Sequence, residues 1–198
     1  FQSRWIPSDM ASSYDLMNDA MSLGIHRLWK NHFVEMLNPR GGIRCLDVAG
    51  GTGDIALRIL DHARTKHLDR ETSVTVLDIN DKMLVEGQKR LKATMYWNTP
   101  QVRFQLGNAE ALDRVLPVPE RRNPPASTKR NPILPPLVSE PVPSESVDLY
   151  TIAFGIRNCT HIDRVIAEAF RVLKPGGIFA CLEFGKVSLP VLAQLYRQ

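Results

Sequence analysis

A short apolar strand that runs straight into a cluster of glycines constrains this chain more than any other feature. Residues 43–49 form the run, and Gly50-Gly51-Thr52-Gly53 follows it, ahead of a helical pattern over residues 55–63 carried by Ile55, Leu57, Ile59 and Leu60. A strand that is apolar without alternation is buried on both faces, as the strands of parallel sheets are. The rest of the chain repeats the theme. Residues 10–37 read as helical, with Trp29, Phe33, Met36 and Leu37 at helical spacing and Pro39-Arg40-Gly41-Gly42 as the stop. Further strands are expected at 74–77, 102–106, 147–154 and 178–184. Asn80 is placed to cap a helix whose core face carries Met83, Leu84, Gly87 and Leu91. Ile162, Val165, Ile166, Ala169, Phe170 and Leu173 make another apolar stripe, and Lys174-Pro175-Gly176-Gly177 reads as a turn with proline second and glycine third. Strand alternating with helix predicts an α/β fold, a parallel sheet with helices on both faces.

One stretch breaks the rhythm. Nine of the fourteen prolines lie within residues 113–146, which show neither helical nor strand period. The expectation is an extended, mobile insertion loop between the third and fourth strands. The 198 residues suffice for a single domain, and no apolar run approaches the length of a membrane helix. Peripheral contact with a membrane stays open. The net charge of +4 is mild, and Arg121, Arg122, Lys129 and Arg130 are the nearest thing to a basic cluster. The cysteines are Cys45, Cys159 and Cys181, an odd number with two in expected buried strands, which fits a reducing compartment. No spacing of cysteines or histidines points to a metal. The chain begins at Phe1, so the true N-terminus is expected to lie upstream, with any targeting peptide.

The glycine loop admits two ligands. Gly51-x-Gly53-x-x-Ala56 satisfies the dinucleotide fingerprint, and Asp78, 25 residues after Gly53, stands where an acid holds a ribose diol. NAD is therefore one candidate. A pyrophosphate sits at a helix N-terminus because the amides and the dipole favour anions there. Asp54 occupies that entrance and Asp47 lies in the strand leading to it. Two carboxylates repel a pyrophosphate and favour the sulfonium and ammonium of S-adenosyl-L-methionine, which tips the reading toward that cofactor. The structural alternatives are a helix cap for Asp54 and a polar strand end for Asp47. Asp78 is expected to accept both ribose hydroxyls. The third strand ends in Gly107-Asn108-Ala109-Glu110, where Asn108 and the Ala109 backbone face the same crevice and suit an adenine edge, or else form a plain turn.

At this point the chain resembles the ubiquinone/menaquinone biosynthesis C-methyltransferases. The matching segments are Tyr14-Asp15-Leu16-Met17-Asn18-Asp19, the stretch 21–30, the stretch 46–54, Asp78-Ile79-Asn80, Asn108-Ala109-Glu110, Phe154-Gly155-Ile156-Arg157-Asn158, the stretch 171–177 and Leu182-Glu183-Phe184, in the family's order over nearly the whole chain. Lys-Pro-Gly-Gly is common among methyltransferases; the N-terminal signature and Phe-Gly-Ile-Arg-Asn are far more specific, and the wording is closest to the mitochondrial, ubiquinone-making branch. The resemblance implies a Rossmann-like class I methyltransferase fold and methyl transfer to a ring carbon of a polyprenyl-methoxy-benzoquinol. It implies a cofactor site of Asp47, Gly51, Thr52, Gly53, Asp78, Ile79, Asn108 and Ala109. As partners it implies the quinol, a ubiquinone-biosynthesis complex, peripheral membrane contact and a homodimer, on the matrix side of the mitochondrial inner membrane. Residues 1–40 would be a helical lid on a single domain spanning 1–198. Two departures stand out: the proline-rich insertion is long for the family, and the chain stops at Gln198, short of the strands that complete the sheet, which marks it as truncated and leaves the fifth strand an open edge.

Ring methylation needs an electron-rich carbon, hence a quinol that has lost a hydroxyl proton. Arg157, leaving the fourth strand above the cofactor, is the candidate fixed cation for the phenolate; its pKa disfavours a neutral arginine base unless it works through a water. Asn158 would orient the same oxygen, or else cap the next helix. Tyr14 would close over the pocket, and His26 is a second-choice proton acceptor or a structural histidine. Cys159 lacks the context of a nucleophile. Alternatives are another small-molecule methyltransferase and a non-catalytic subunit that binds cofactor or lipid. A nucleic-acid substrate is disfavoured, since the chain has no Asn-Pro-Pro-Tyr type motif and no basic stripe interleaved with aromatics.

Overall fold

The computed structural model describes residues 25–119 and 134–184. Its elements, in chain order, are α1 (Ile25–Leu37), β1 (Arg44–Val48), α2 (Asp54–His67), β2 (Ser73–Asp78), α3 (Asp81–Leu91), β3 (Val102–Leu106), β4 (Val147–Ala153), a 3-10 turn (Ile156–Asn158), α4 (Ile162–Val172) and β5 (Leu173–Leu182). The strands form one parallel sheet in the order β3-β2-β1-β4-β5. Chain order reverses between β1 and β4, so the crevice at the carboxyl ends of these two strands is the place where such a sheet takes a ligand.

β1 sits at the centre and is buried along its length after Arg44. Its neighbours in sequence feed two cores. Cys45 packs with Phe33 and Val34 of α1, Ile55, Ile59 and Leu60 of α2, and Leu84 and Leu91 of α3. Leu46 and Val48 pack on the opposite face with Tyr150, Ile152, Val165, Ala169 and Val172. The period of two along the strand thus divides the helices between the faces.

Asn80 caps α3, its side chain accepting from the amides of Lys82 at 3.1 Å and Met83 at 3.4 Å. Gly87 lets α3 approach the sheet: a Cβ there would stand 2.4 Å from Phe104 Cε1 and 3.1 Å from the Thr52 carbonyl. The Phe104 ring also lies against the glycine loop, 3.5 Å from where a Gly53 Cβ would be. Gly87→Ala should therefore lose stability, by roughly 1–2 kcal/mol, because overpacking outweighs the helix propensity that alanine gains. Equal or higher thermal stability would show that the ring yields.

Several expectations need correction. Residues 113–146 were expected as an extended, mobile loop, and the described flanks are extended with neither helix nor strand. What the sequence did not show is that these flanks pack along the open edge of β3. Leu106 N–H donates to Val138 O (2.8 Å), Gln105 Nε2 to Glu140 O (2.6 Å) and Val142 N–H to Leu112 O (2.7 Å), while Leu137 and Val142 are buried. An edge strand has unpaired amides to satisfy, and an extended prolyl segment supplies carbonyls for them without needing its own period. The basic cluster at 121–130 lies outside the described residues.

The α4 stripe divides. Val165, Ala169 and Val172 face the sheet, whereas Ile162, Ile166 and Phe170 are exposed, Phe170 to 84%. A stripe of six is wider than one sheet face can cover, and no described element lies over its outer half. Met36 is exposed for a similar reason, one position off the face that carries Phe33. Cys181, expected inside, is exposed because β5 is the sheet edge. The Lys174–Gly177 turn is an interruption inside β5: the pairing jumps from Val147↔Leu173 to Leu149↔Ile178, and Gly176 has φ +80. None of the helices in the described residues is long and apolar enough to cross a membrane.

Candidate functional site

The loop after β1 is pinned from beneath and from the side. Gly50 N–H donates to Leu77 O (3.1 Å) and Gly53 N–H to Gly50 O (2.8 Å). Gly51 and Gly53 have φ +53 and +77, which side-chain-bearing residues rarely adopt. Asp78 closes the structure. Its Oδ2 accepts from Gly51 N–H at 2.9 Å and its Oδ1 from Asn80 N–H at 2.8 Å, while its carbonyl accepts from Gly107 N–H at 3.0 Å. One residue thereby joins the ends of β1, β2 and β3. Burial raises its pKa, the amides of Asn80 and Gly51 offsetting part of that rise. A carboxylate has about four acceptor positions, so these amides leave it able to accept from a ligand. Ile79, beside it, is 64% exposed and offers an apolar surface at the mouth.

Asp47 lies beneath the loop rather than in its mouth. It is fully buried; Oδ1 accepts from Thr151 Oγ1 at 2.8 Å and Oδ2 has no hydrogen-bond partner among the described residues. Burial pushes its pKa up to about 7, against the Thr151 hydrogen bond and with help from Asp54 and Asp78. A Cβ on Gly50 would come within 2.8 Å of Oδ2, so only glycine lets the loop close over the acid.

Asp54 corrects the charge argument. It is the first residue of α2, with Gly53 as the cap. Its carboxylate is held by Lys30 at 3.0 Å, Arg90 at 3.0 Å and Arg58 at 3.3 Å. Burial works against its charge, but these cations outweigh it and hold its pKa at about 2. Its field is spent on α1, α2 and α3, so it does not discriminate between the two candidate cofactors as the sequence argument required.

Asn108 and Ala109 follow β3, half-buried. Asn108 Oδ1 accepts from Glu110 N–H at 3.0 Å, making the turn that was the plainer reading of this segment. Glu110 was not singled out by sequence. Its Oε1 accepts from the amides of Thr160 (2.6 Å) and His161 (3.0 Å), so it caps α4 from another loop. Asn158 does not cap α4, as one reading had it; the cap position is His161 and Asn158 is exposed on the 3-10 turn. Thr52 is half-buried on the glycine loop.

On the β4 and β5 side the ends come close together. A Cβ on Gly155 would stand 2.5 Å from Ala49 Cβ, and Ala49 and Phe154 both adopt positive φ (+52 and +56). Strain of this kind gathers where surrounding structure fixes it, commonly at sites. Arg157 NH1 lies 3.4 Å from Glu183 Oε1, and its guanidinium stacks 4.8 Å from the centre of the Phe184 ring. Phe184 packs on Phe154 (4.8 Å) and edge-on against Trp29 (5.6 Å), and Lys30 lies 5.9 Å over Phe154. Helix α1 thus bridges the glycine loop, through Lys30 and Asp54, to the aromatic cluster. His26 is buried on the same helix. Tyr14 lies outside the described residues. Lys30, Glu110 and Glu183 are what sequence reasoning missed; each gains its place only through a neighbour distant in the chain.

The comparisons with known proteins agree. The model of the ubiE/COQ5 methyltransferase family matches residues 4–116 and 138–198, leaving out the central part of the proline-rich insertion. The chain belongs to this family. Among curated relatives, it is 52% identical over 194 residues to the mitochondrial 2-methoxy-6-polyprenyl-1,4-benzoquinol methylase of Schizosaccharomyces pombe, covering 96% of this chain and 55% of that protein. It is 44% identical to the protein of the same name from Drosophila melanogaster, over 96% of this chain and 56% of that one. It is 45% identical to the ubiquinone/menaquinone biosynthesis C-methyltransferase of Bartonella bacilliformis, over 94% and 59%. The chain spans somewhat over half the length of these relatives. Among solved structures, an S-adenosyl-L-methionine-dependent methyltransferase from Methanococcus maripaludis superposes with a TM-score of 0.60 at 14% identity, over 98% of this chain and 73% of that one. A cyclase matches with a TM-score of 0.53 at 22% identity, over 77% and 44%. These likenesses establish the Rossmann-like class I methyltransferase fold, and the cyclase shows that this fold does not itself name a reaction.

Proposed function

We propose that this chain carries the cofactor site of an S-adenosyl-L-methionine-dependent enzyme that methylates a ring carbon of a polyprenyl-methoxy-benzoquinol in ubiquinone biosynthesis. The observation that carries the reading is Asp78: a half-buried carboxylate with spare acceptor positions, fixed beside a glycine loop at the switch point of the sheet, in a chain of this family. The residues fit the cofactor. The orphaned Asp47 Oδ2 leaves an unmet polar atom beneath the loop, and the cradle over Gly51 is one that a Cβ would narrow to 3.2 Å from Met83 Cε. Asp78 would hold the ribose hydroxyls, Ile79 would cover the adenine, Asn108 and the Ala109 amide would meet its edge, and Gly51, Thr52 and Gly53 would approach with their backbone. When bound, the cofactor supplies an electrophilic methyl group.

The chain's own residues account for the rest. Arg157 would stabilise a phenolate oxygen with its fork of donors, in a site shielded by Phe154, Phe184 and Trp29. Asn158 lies next to it for the same oxygen, and Tyr14 would close the pocket. The mitochondrial names of the relatives support a place on the matrix side of the inner membrane, with peripheral membrane contact, membership of a biosynthetic complex and a homodimer as the assembly to test. Calorimetry should show S-adenosyl-L-methionine binding and NAD not; the opposite preference sinks the cofactor assignment. The full-length protein should transfer labelled methyl to a short-chain methoxy-benzoquinol under reducing conditions, and absence of labelled product would point to a different acceptor.

A further inference from the structure

Methylation of a quinol carbon needs a group to take the hydroxyl proton, and His26, the acceptor offered by the sequence, is buried on α1. Arg157 is no direct acceptor: a guanidinium carries only donors. Asp47 is sealed under the glycine loop and Asp54 is held by three cations. Glu183 differs from both. It follows β5 directly, at the carboxyl end of the sheet, where Phe154 N–H pairs with Leu182 O at 2.7 Å. Its Oε1 is occupied, accepting from Phe184 N–H at 3.0 Å and facing Arg157 at 3.4 Å. Its Oε2 is buried and has no hydrogen-bond partner among the described residues. A buried acceptor left without a donor is costly and asks for a reason. The side chain as a whole keeps 22% exposure and that of Arg157 keeps 40%, so the pair lies at the rim of the site and a turn of the carboxyl group brings Oε2 to a ligand. The aromatic surfaces of Phe154, Phe184 and Trp29 lie around it, suited to hold a flat ring.

We infer that Glu183 is the proton acceptor of the reaction, with Oε2 taking the quinol hydroxyl proton while Arg157 holds the resulting oxyanion; this rests on the substrate reading above. The O–H bond breaks with its electron pair left on oxygen, and the proton goes to Oε2. The ring carbon takes the methyl group, then loses its own hydrogen as a proton to water, the C–H pair restoring the ring. The oxygen recovers its proton from Glu183. One proton is released overall and the carboxylate is regenerated. The division of labour places an anion and a cation 3.4 Å apart so that proton transfer moves negative charge from Glu183 to an oxygen that Arg157 also faces.

The test uses the full-length protein and the isosteric Glu183→Gln. The variant should bind S-adenosyl-L-methionine within about threefold of wild type, which shows that it is folded. Its turnover of the methoxy-quinol should fall by about 100-fold or more, the usual range for a lost general base. In calorimetry the wild type should bind the quinol more tightly than its dimethyl ether, and the variant should lose that preference. A fluorinated, more acidic quinol already ionised at the assay pH separates the base from a mere support for Arg157: the gap between wild type and Glu183→Gln should shrink at least tenfold with it. An unchanged gap, or turnover of the ordinary quinol within threefold of wild type, overturns the inference. If Glu183→Gln does not fold, Glu183→Asp with the same pair of quinols serves. A wild type that methylates no quinol overturns the substrate reading, and the assignment of Glu183 with it; an active wild type beside an insensitive variant overturns Glu183 alone.

Discussion

Asp78→Ala should weaken S-adenosyl-L-methionine binding by about 100-fold. A hydrogen bond to a charged acceptor contributes about 1.5–3 kcal/mol, and a ribose diol offers two of them. Two bonds at the lower end already give roughly that factor. The change also removes the acceptor for the Gly51 and Asn80 amides, so part of the loss comes through a loosened glycine loop. The two contributions can be separated. S-adenosylhomocysteine measures the same ribose contacts without the sulfonium, and should lose affinity in parallel. Adenine alone should lose much less, because Ile79 and Asn108 remain. Calorimetry on the purified variant decides the matter; a change of less than threefold would remove Asp78 from the cofactor site.

The second large effect is on stability rather than binding. The Asp47 carboxyl has a pKa near 3.8 when solvated and about 7 in the folded protein, because burial penalises the anion. Between these values the native state holds a proton that the unfolded state has lost. Stability must then fall as pH rises through that window, and level off above it. Three pKa units correspond to about 4 kcal/mol, an upper limit because water entry and relaxation soften burial. Asp47→Asn keeps an acceptor for Thr151 Oγ1 but cannot ionise. Relative to wild type it should therefore gain stability steadily from pH 4 to pH 8, by up to that amount, in the absence of cofactor. The comparison cancels the titration of groups elsewhere, though Asp54, Asp78 and Lys30 face Asp47 and set where the change is centred. Denaturant midpoints at pH 4.5, 6 and 8 would show it. Parallel curves for the two proteins would mean that Asp47 is solvated in solution.

Much of the architecture was legible because it is local. The burial of β1 on both faces reads from Cys45, Leu46 and Val48, which put apolar side chains on either side of the strand, and the Asn80 cap needs only the amides of Lys82 and Met83 in the next turn. Gly51 and Gly53 are where positive φ is needed, and the chain has no side chain there to forbid it. The proline-rich flank was read only in part, for the opposite reason. Its order comes from β3, whose open edge needs carbonyls, and nothing in residues 134–146 announces that. The stripe on α4 was overcounted because periodicity shows which residues share a face and not how much of that face is covered.

The sequence by itself determined the parallel α/β fold, the glycine loop, the acid at the end of β2 and the family. These follow from strand burial, backbone sterics and motif spacing, all of which act over a few residues. Only the tertiary structure decided where the charges point. Asp54 turned from a cofactor-facing acid into the anchor of Lys30, Arg58 and Arg90; Glu110 became the cap of a helix 50 residues away; Glu183 met Arg157 across the ends of β4 and β5. Such partners are fixed by strand order, which sets residues distant in the chain side by side, and electrostatic roles depend on that neighbour more than on the residue itself.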